Sequence, residues 1–223
     1  MLELLGKLTR TTSIVPQSSA GAAVAGDYIS LKNANKCIVE VSLGSITTSV
    51  TVQLRQATAV AGTGVKALNF THVWRECGKI GISGTSGTFQ EGETVTGGTS
   101  SATGVIYRVT SSEMILYTIS GTFQSGETLT GGTSSATATS TSAITEDKSK
   151  ARVALAAAAN TIALTAGSQT YEIEVDPSSL DTANDFDCIM ADVSACGNAS
   201  VFGISYLIQP KYTDDPQMSH IYD

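Results

Sequence analysis

Histidine and charge are both scarce in this chain, and each shortage removes a class of function. Only His72 and His220 are present. One sits in the strand-like FTHVW and the other in the terminal stretch, so a Ser, His, Asp triad has no support in the sequence. Charged residues make up 15% of the chain, against about 25% in an average soluble domain. Its 13 Lys and Arg face 20 Asp and Glu, for a net charge of -7. With no basic cluster there is little from which to build a phosphate-binding surface, which argues against a nucleic acid partner. Four cysteines, Cys37, Cys77, Cys188 and Cys196, are too scattered for a disulfide scaffold, and none forms a C-x-x-C pair for zinc. Cys37 and Cys188 lie in apolar runs and are expected as buried free thiols. No stretch approaches the roughly 18 apolar residues of a membrane-spanning helix. MLELLGKLTR lacks a basic segment followed by an apolar one of signal length, so the expected product is soluble and made in the cytosol.

Thr, Ser, Ala and Gly are abundant, the vocabulary of strands and tight turns. In CIVEVSL, Cys37, Val39, Val41 and Leu43 are apolar while Glu40 and Ser42 face the other way, the period of a half-buried strand. Val50, Val52 and Leu54 repeat the pattern, as do Tyr171, Ile173 and Val175 before Pro177, which cannot donate a ladder hydrogen bond. Phe186 to Val193 and Val201 to Ile208 are apolar on both faces, as in strands covered on two sides. Ala151 to Ala159 has helix-favouring alanines, but Val153, Leu155, Ile162 and Leu164 fit strand, bend, strand, which is the preferred reading. The fold expected is all-β, a β-sandwich or jelly-roll-like host domain.

One phrase is written twice. GTFQEGETVTGGTSSAT at Gly87 to Thr103 returns as GTFQSGETLTGGTSSAT at Gly121 to Thr137, 34 residues further on. Each copy offers glycine turns and a strand start at Phe89 or Phe123, and the intervening GVIYRVTSSEMILYTIS reads as a hairpin turning at Thr110 to Ser112. Two units are too few for a solenoid, which needs about three. The strand patterns before and after are each incomplete alone. The expected organisation is therefore an amino-terminal arm over 1–26, a discontinuous host domain over 27–79 and 148–223, and an inserted β module over 80–147. Within the module the copies are expected to form two layers, burying Phe89 against Phe123 with Val105, Tyr107, Leu116 and Tyr117 between them.

Other residues have plain structural readings beside chemical ones. Glu93 and Glu127 hold equivalent repeat positions and suggest a glycosidase pair, yet each sits in a turn where a carboxylate accepts backbone N–H bonds. Asp181, Asp185 and Asp187 in SLDTANDFD suggest a cation site, but Asp and Asn in such a loop form side-chain turns. The repeats lack the aspartate of a calcium-binding β-roll loop. No cofactor, metal or catalytic residue is expected. Trp74 continues the alternation Phe70, His72, Trp74 and is expected in a core or a subunit interface. The leucines of the arm, Leu2, Leu4, Leu5 and Leu8, and the start of the tail at Tyr212 are the remaining contact candidates, for surfaces that order on a partner.

The run VTVQLRQATAVAGTGVKALNFTHVWR (Val50 to Arg75), with YEIEVDPSSLDTANDFDCIMADVS (Tyr171 to Ser194) and FGISYLIQPKY (Phe202 to Tyr212), resembles structural proteins of tailed bacteriophages. The GTF-x-x-GET-x-TGGTSSAT phrase is similar to a module repeated in phage virion proteins. Together these cover most of the chain. The resemblance implies a head decoration, or capsid cement, protein: a homotrimer without catalytic residues, seated on the outer surface of the capsid and bound to the major capsid protein. It departs from that family in the inserted pair of repeats. A tail-associated protein that recognises a host-surface glycan is the alternative.

Overall fold

The computed structural model describes residues 8–19, 21–46, 48–164, 169–194, 196 and 200–211. The chain is all-β and divides into two compact units, one made of residues 1–73 and 153–223 and the other of Trp74–Arg152. The expected module had been placed at 80–147. Among the described residues sixteen strands run in order: β1 (Thr9–Ser18), β2 (Ile29–Ser30), β3 (Ala34–Leu43), β4 (Val50–Ala57), β5 (Lys66–Ala67), β6 (Phe70–Ser86), β7 (Thr94–Gly97), β8 (Thr103–Val109), β9 (Glu113–Ser120), β10 (Thr128–Gly131), β11 (Thr137–Ser140), β12 (Thr145–Ala159), β13 (Thr161–Leu164), β14 (Gln169–Val175), β15 (Cys188–Val193) and β16 (Val201–Pro210). Short 3-10 turns at Pro177–Ser179 and Thr182–Asn184 join β14 to β15.

The discontinuous unit is a β-sandwich. One of its sheets runs β1-β16-β3-β14 and the other β13-β4-β15-β2, with β5 beside β4. Alternation dictates the filling. Val39 and Val41 of β3, Ile173 of β14 and Ile204 and Tyr206 of β16 share one buried cluster with Val50, Val52 and Leu54 of β4 and Ile189 and Ala191 of β15. Each Val, Leu or Ile among them contributes about 1.5–3 kcal/mol through burial. The Tyr206 hydroxyl crosses the cluster, accepting from the Ala191 N–H at 2.8 Å and donating to the Asp27 carbonyl at 3.1 Å.

The segment expected as an arm is partly built into this sandwich. β1 pairs antiparallel with β16 from Thr9↔Ile208 to Ser18↔Val201, with irregularities on either side of Ile14. Its Thr and Ser side chains suit an edge strand, and Ile14 gives it a buried anchor. Between Phe70 and Trp74 the expected alternation also fails. Phe70 and Val73 both join the core while His72 and Trp74 are half-buried, an outcome a two-residue period on one face cannot give.

The second unit is a closed six-stranded antiparallel barrel rather than two layers. Its ring runs β6-β11-β10-β7-β8-β9 and returns to β6, where Gly78 to Gly81 pair with Leu116 to Glu113. Closure leaves no free edges in the ring. The true repeat is longer than the phrase: residues 79–112 and 113–146 are equivalent units, each of three strands. Shifting by the repeat length maps Ile80 onto Met114, Ile82 onto Leu116, Phe89 onto Phe123, Val95 onto Leu129 and Ala102 onto Ala136, and all ten fill the barrel core. The pairs Thr96↔Thr130 and Ile80↔Met114 each map onto themselves, so a pseudo-two-fold relates the halves.

The hairpin face differs from expectation. Ile106 and Gly104 are buried, while Val105 is half-buried and Tyr107 is 40% exposed. Ladder irregularities at Thr103/Val105 and Ile106/Arg108 reset the side-chain phase of β8.

Candidate functional site

The most highly organised polar groups in the described residues are the carboxylates of the two repeats. In TGGTSSA the chain leaves a strand and folds back tightly, with Gly97 N–H bonded to the Ala102 carbonyl and Ser101 N–H to the Gly97 carbonyl. Ser101 adopts the left-handed region at φ 56°, and so does its equivalent Ser135. This conformation turns neighbouring N–H groups toward one point. Glu127 fills that point: its carboxylate accepts from Thr99 N–H at 3.2 Å, Ser100 N–H at 2.9 Å and the Ser100 hydroxyl at 2.8 Å. Its own turn adds Gln124 N–H at 2.7 Å.

The second repeat returns the favour in the opposite direction. Glu93 accepts from Thr133 N–H at 3.0 Å, Ser134 N–H at 2.9 Å, the Ser134 hydroxyl at 2.7 Å and, locally, Gln90 N–H at 2.6 Å. Both residues are buried, with 6% of Glu93 and 4% of Glu127 exposed. Burial alone would raise the pKa of each. The converging donors outweigh it and pull Glu93 down to about 2 and Glu127 in the same direction. Each carboxylate is ringed by N–H and O–H donors, the setting of an ionised acceptor and not of the protonated acid that a glycosidase pair uses. The sequence indicated local turn acceptors. Only Gln90 and Gln124 are local, and the remaining donors lie in the other repeat.

Glycine is required where the carboxylate arrives. A Cβ at Gly97 would stand 2.5 Å from Glu127 Oε2, and one at Gly131 would stand 2.8 Å from both Glu93 oxygens.

The contact candidates are dispersed. Leu8 is 38% exposed and belongs to the sandwich, whereas Trp74 is half-buried and belongs to the barrel unit. Leu2, Leu4, Leu5 and Tyr212 lie outside the described residues, as does His220. His72 Nδ1 lies 2.9 Å from the Thr71 hydroxyl. Asp181 is held by Lys66 and Asn184, Asp185 takes a left-handed conformation after a 3-10 turn, and Asp187 accepts from the Cys188 thiol at 3.1 Å. They do not converge, and no group of three His, Cys, Asp or Glu suited to a metal occurs among the described residues. The four cysteines are free and buried. Burial pushes the Cys37 thiol up to about 12, and burial with the neighbouring Asp187 does the same to Cys188. Neither is a reactive thiolate at neutral pH.

Reading the sequence missed one cleft, of about 570 Å³, in the sandwich. Leu31, Leu180 and Phe186 line it, with Lys32, Asp185 and Lys211 also on its walls. Its loops are pinned by Leu31 N–H to the Asp187 carbonyl at 2.7 Å and by Lys66 Nζ over the Phe186 ring at 3.9 Å. The residues come from four separated segments, so no local motif announces them. No family model, no curated protein and no solved structure matches the chain.

Proposed function

We propose that this chain is a non-enzymatic virion structural protein, a decoration or cement protein that clads the outer surface of a tailed-phage head and braces it against the outward pressure of packaged DNA. The reading rests on the resemblance carried by Val50 to Arg75, Tyr171 to Ser194 and the repeated phrase. The observation that supports it best is the use made of the carboxylates of the repeats. Glu93 and Glu127 spend their acceptor capacity on turns of the same barrel, so these acids serve architecture. A task of cladding demands area, symmetry and rigidity. Several weak contacts made by one oligomer reinforce one another, because the later ones form at high effective concentration. The expected partners are the major capsid protein and further copies of the chain in a homotrimer.

Electron cryomicroscopy of purified particles tests this. Density for the chain in many copies over the head supports the reading, and density confined to the tail overturns it. One feature favours the alternative of a tail-associated glycan reader: the exposed ring of Tyr107 on β8, flanked by the exposed Arg108. The equivalent position in the second repeat is Thr141, so the ring is not duplicated with the fold. Shearing tails from heads and asking which fraction retains the chain separates the two.

A further inference from the structure

The barrel is divided between its two halves in an unusual proportion. Of the six ladders that close the ring, only β7–β8 and β10–β11 join strands of the same repeat. The other four, β6–β11, β7–β10, β8–β9 and β6–β9, join strands of different repeats. The carboxylate bonds divide the same way: Glu93 serves the turn at Thr133 and Ser134, and Glu127 serves the turn at Thr99 and Ser100. Even the strand-end amides cross over, with Gly98 N–H on the Thr128 carbonyl and Gly132 N–H on the Thr94 carbonyl, both at 2.8 Å. A single repeat therefore keeps two of its needs, a tight turn and a short hairpin, and obtains the rest from its counterpart.

The surface to which a repeat binds is thus the other repeat, and every copy of the chain carries both. The link between them is the short turn Thr110 to Ser112 between β8 and β9. If that turn opens, β8 and β9 separate and residues 113–223 leave together. The sandwich is composite about the same point, since its two parts are residues 1–73 and 153–223. Exchange at one turn then leaves both units of each copy to be completed by the same partner, with every ladder that joins residues before the turn to residues after it re-formed between chains.

We propose that copies of this chain associate by reciprocal exchange at Thr110 to Ser112, repeat one of one copy completing its barrel with repeat two of another. The partner is a second copy of this chain. The exchanged assembly is a pair, so the proposal goes beyond the homotrimer of the function proposed above and needs neither that reading nor the capsid.

Thr96 and Thr130 provide the test. They stand opposite one another across β7–β10, and both are exposed, a placement suited to a disulfide when both are cysteine. Two full-length chains, one with Thr96→Cys and a tag of distinct size, the other with Thr130→Cys, are co-expressed, purified, oxidised and run on non-reducing gels. Exchange places Cys at 96 of one chain against Cys at 130 of the other and shifts both to a covalent heterodimer, which neither variant forms when expressed alone. The chain carrying both substitutions is the control for geometry: any 96–130 bond in it shows that the pair can bond, as a covalent dimer where copies have exchanged, whereas a faster-migrating, internally cross-linked monomer in its place counts against exchange. If that control cross-links and the co-expressed pair stays monomeric, exchange is overturned. Covalent homodimers of either single variant, at the level of the mixture, overturn it as well, because they mark surface collision. Absence from heads in micrographs together with a covalent heterodimer would defeat the capsid reading alone.

Discussion

The carboxylate of Glu93 accepts from both the backbone N–H and the hydroxyl of Ser134, a residue 41 positions along the chain. Replacing Glu93 by Gln keeps one acceptor oxygen but turns an NH2 group toward donors that are already N–H or O–H. A cost of about 1–3 kcal/mol is expected, since bonds to a charged partner are worth more than neutral ones. Glu127→Gln should behave alike. Denaturation followed by the fluorescence of Trp74, the sole tryptophan and part of the barrel unit, measures both.

Acid should loosen the same unit. Glu93 in the folded chain titrates at about 2, below its ordinary 4.5. Its stabilisation is therefore complete above about 4.5 and is lost as pH falls toward about 2. Glu127 moves in the same direction. Urea midpoints should fall between pH 5 and pH 2, roughly in the window that linkage prescribes, and fall less in the Glu93→Gln, Glu127→Gln double variant. Some slope will persist, because Asp147, Asp176 and Asp181 are also held low by hydrogen bonds. An unchanged slope in the double variant would remove the carboxylates from the account.

Gly97→Ala should be worse than a glycine-to-alanine change of ordinary kind, because the added methyl meets Glu127 Oε2 at 2.5 Å. A loss of about 2–3 kcal/mol is expected from the overlap. Shortening Glu127 removes that contact and leaves the one with Ser100 Oγ at 2.6 Å, so Gly97→Ala combined with Glu127→Ala should cost less than the sum of the two alone. Strict additivity in that cycle would show that the contact is not the source.

In the sandwich, Tyr206→Phe leaves the Ala191 N–H without its acceptor inside the core. A cost of about 1–3 kcal/mol follows from an orphaned buried donor. Hydrogen exchange of the Ala191 amide should quicken relative to the ladder amides of β15, and equal protection in the two proteins would count against this role.

Much of the fold was legible because it repeats locally. The alternation in Cys37 to Leu43, Val50 to Leu54 and Tyr171 to Val175 names the buried side chains correctly, since a strand with one wet face leaves its period in the sequence. The bend at Asn160 also follows from the apolar positions on either side. Val105 and Tyr107 misled because irregular pairing shifts the phase within β8, and no side chain records that in advance. The full repeat escaped notice because Ile80 against Met114 and Ile82 against Leu116 are alike in volume and apolarity but not in identity. The reciprocity of Glu93 and Glu127 was hidden for a different reason. Most of their distant partners are backbone amides, which every residue owns, at a separation no local pattern spans. For the same reason the cleft around Phe186 left no trace in the sequence.

Near-identity over a spacing of 34 residues also bears on how such a chain is inherited. Coding stretches this alike can misalign during copying, and a single slip would delete one whole half of the barrel. The product would be a shorter polypeptide with three barrel strands and four of their six edges unpaired, and two such polypeptides side by side would hold between them all the pieces of one closed ring. A lineage carrying this fold thus stands one deletion away from an obligate pair.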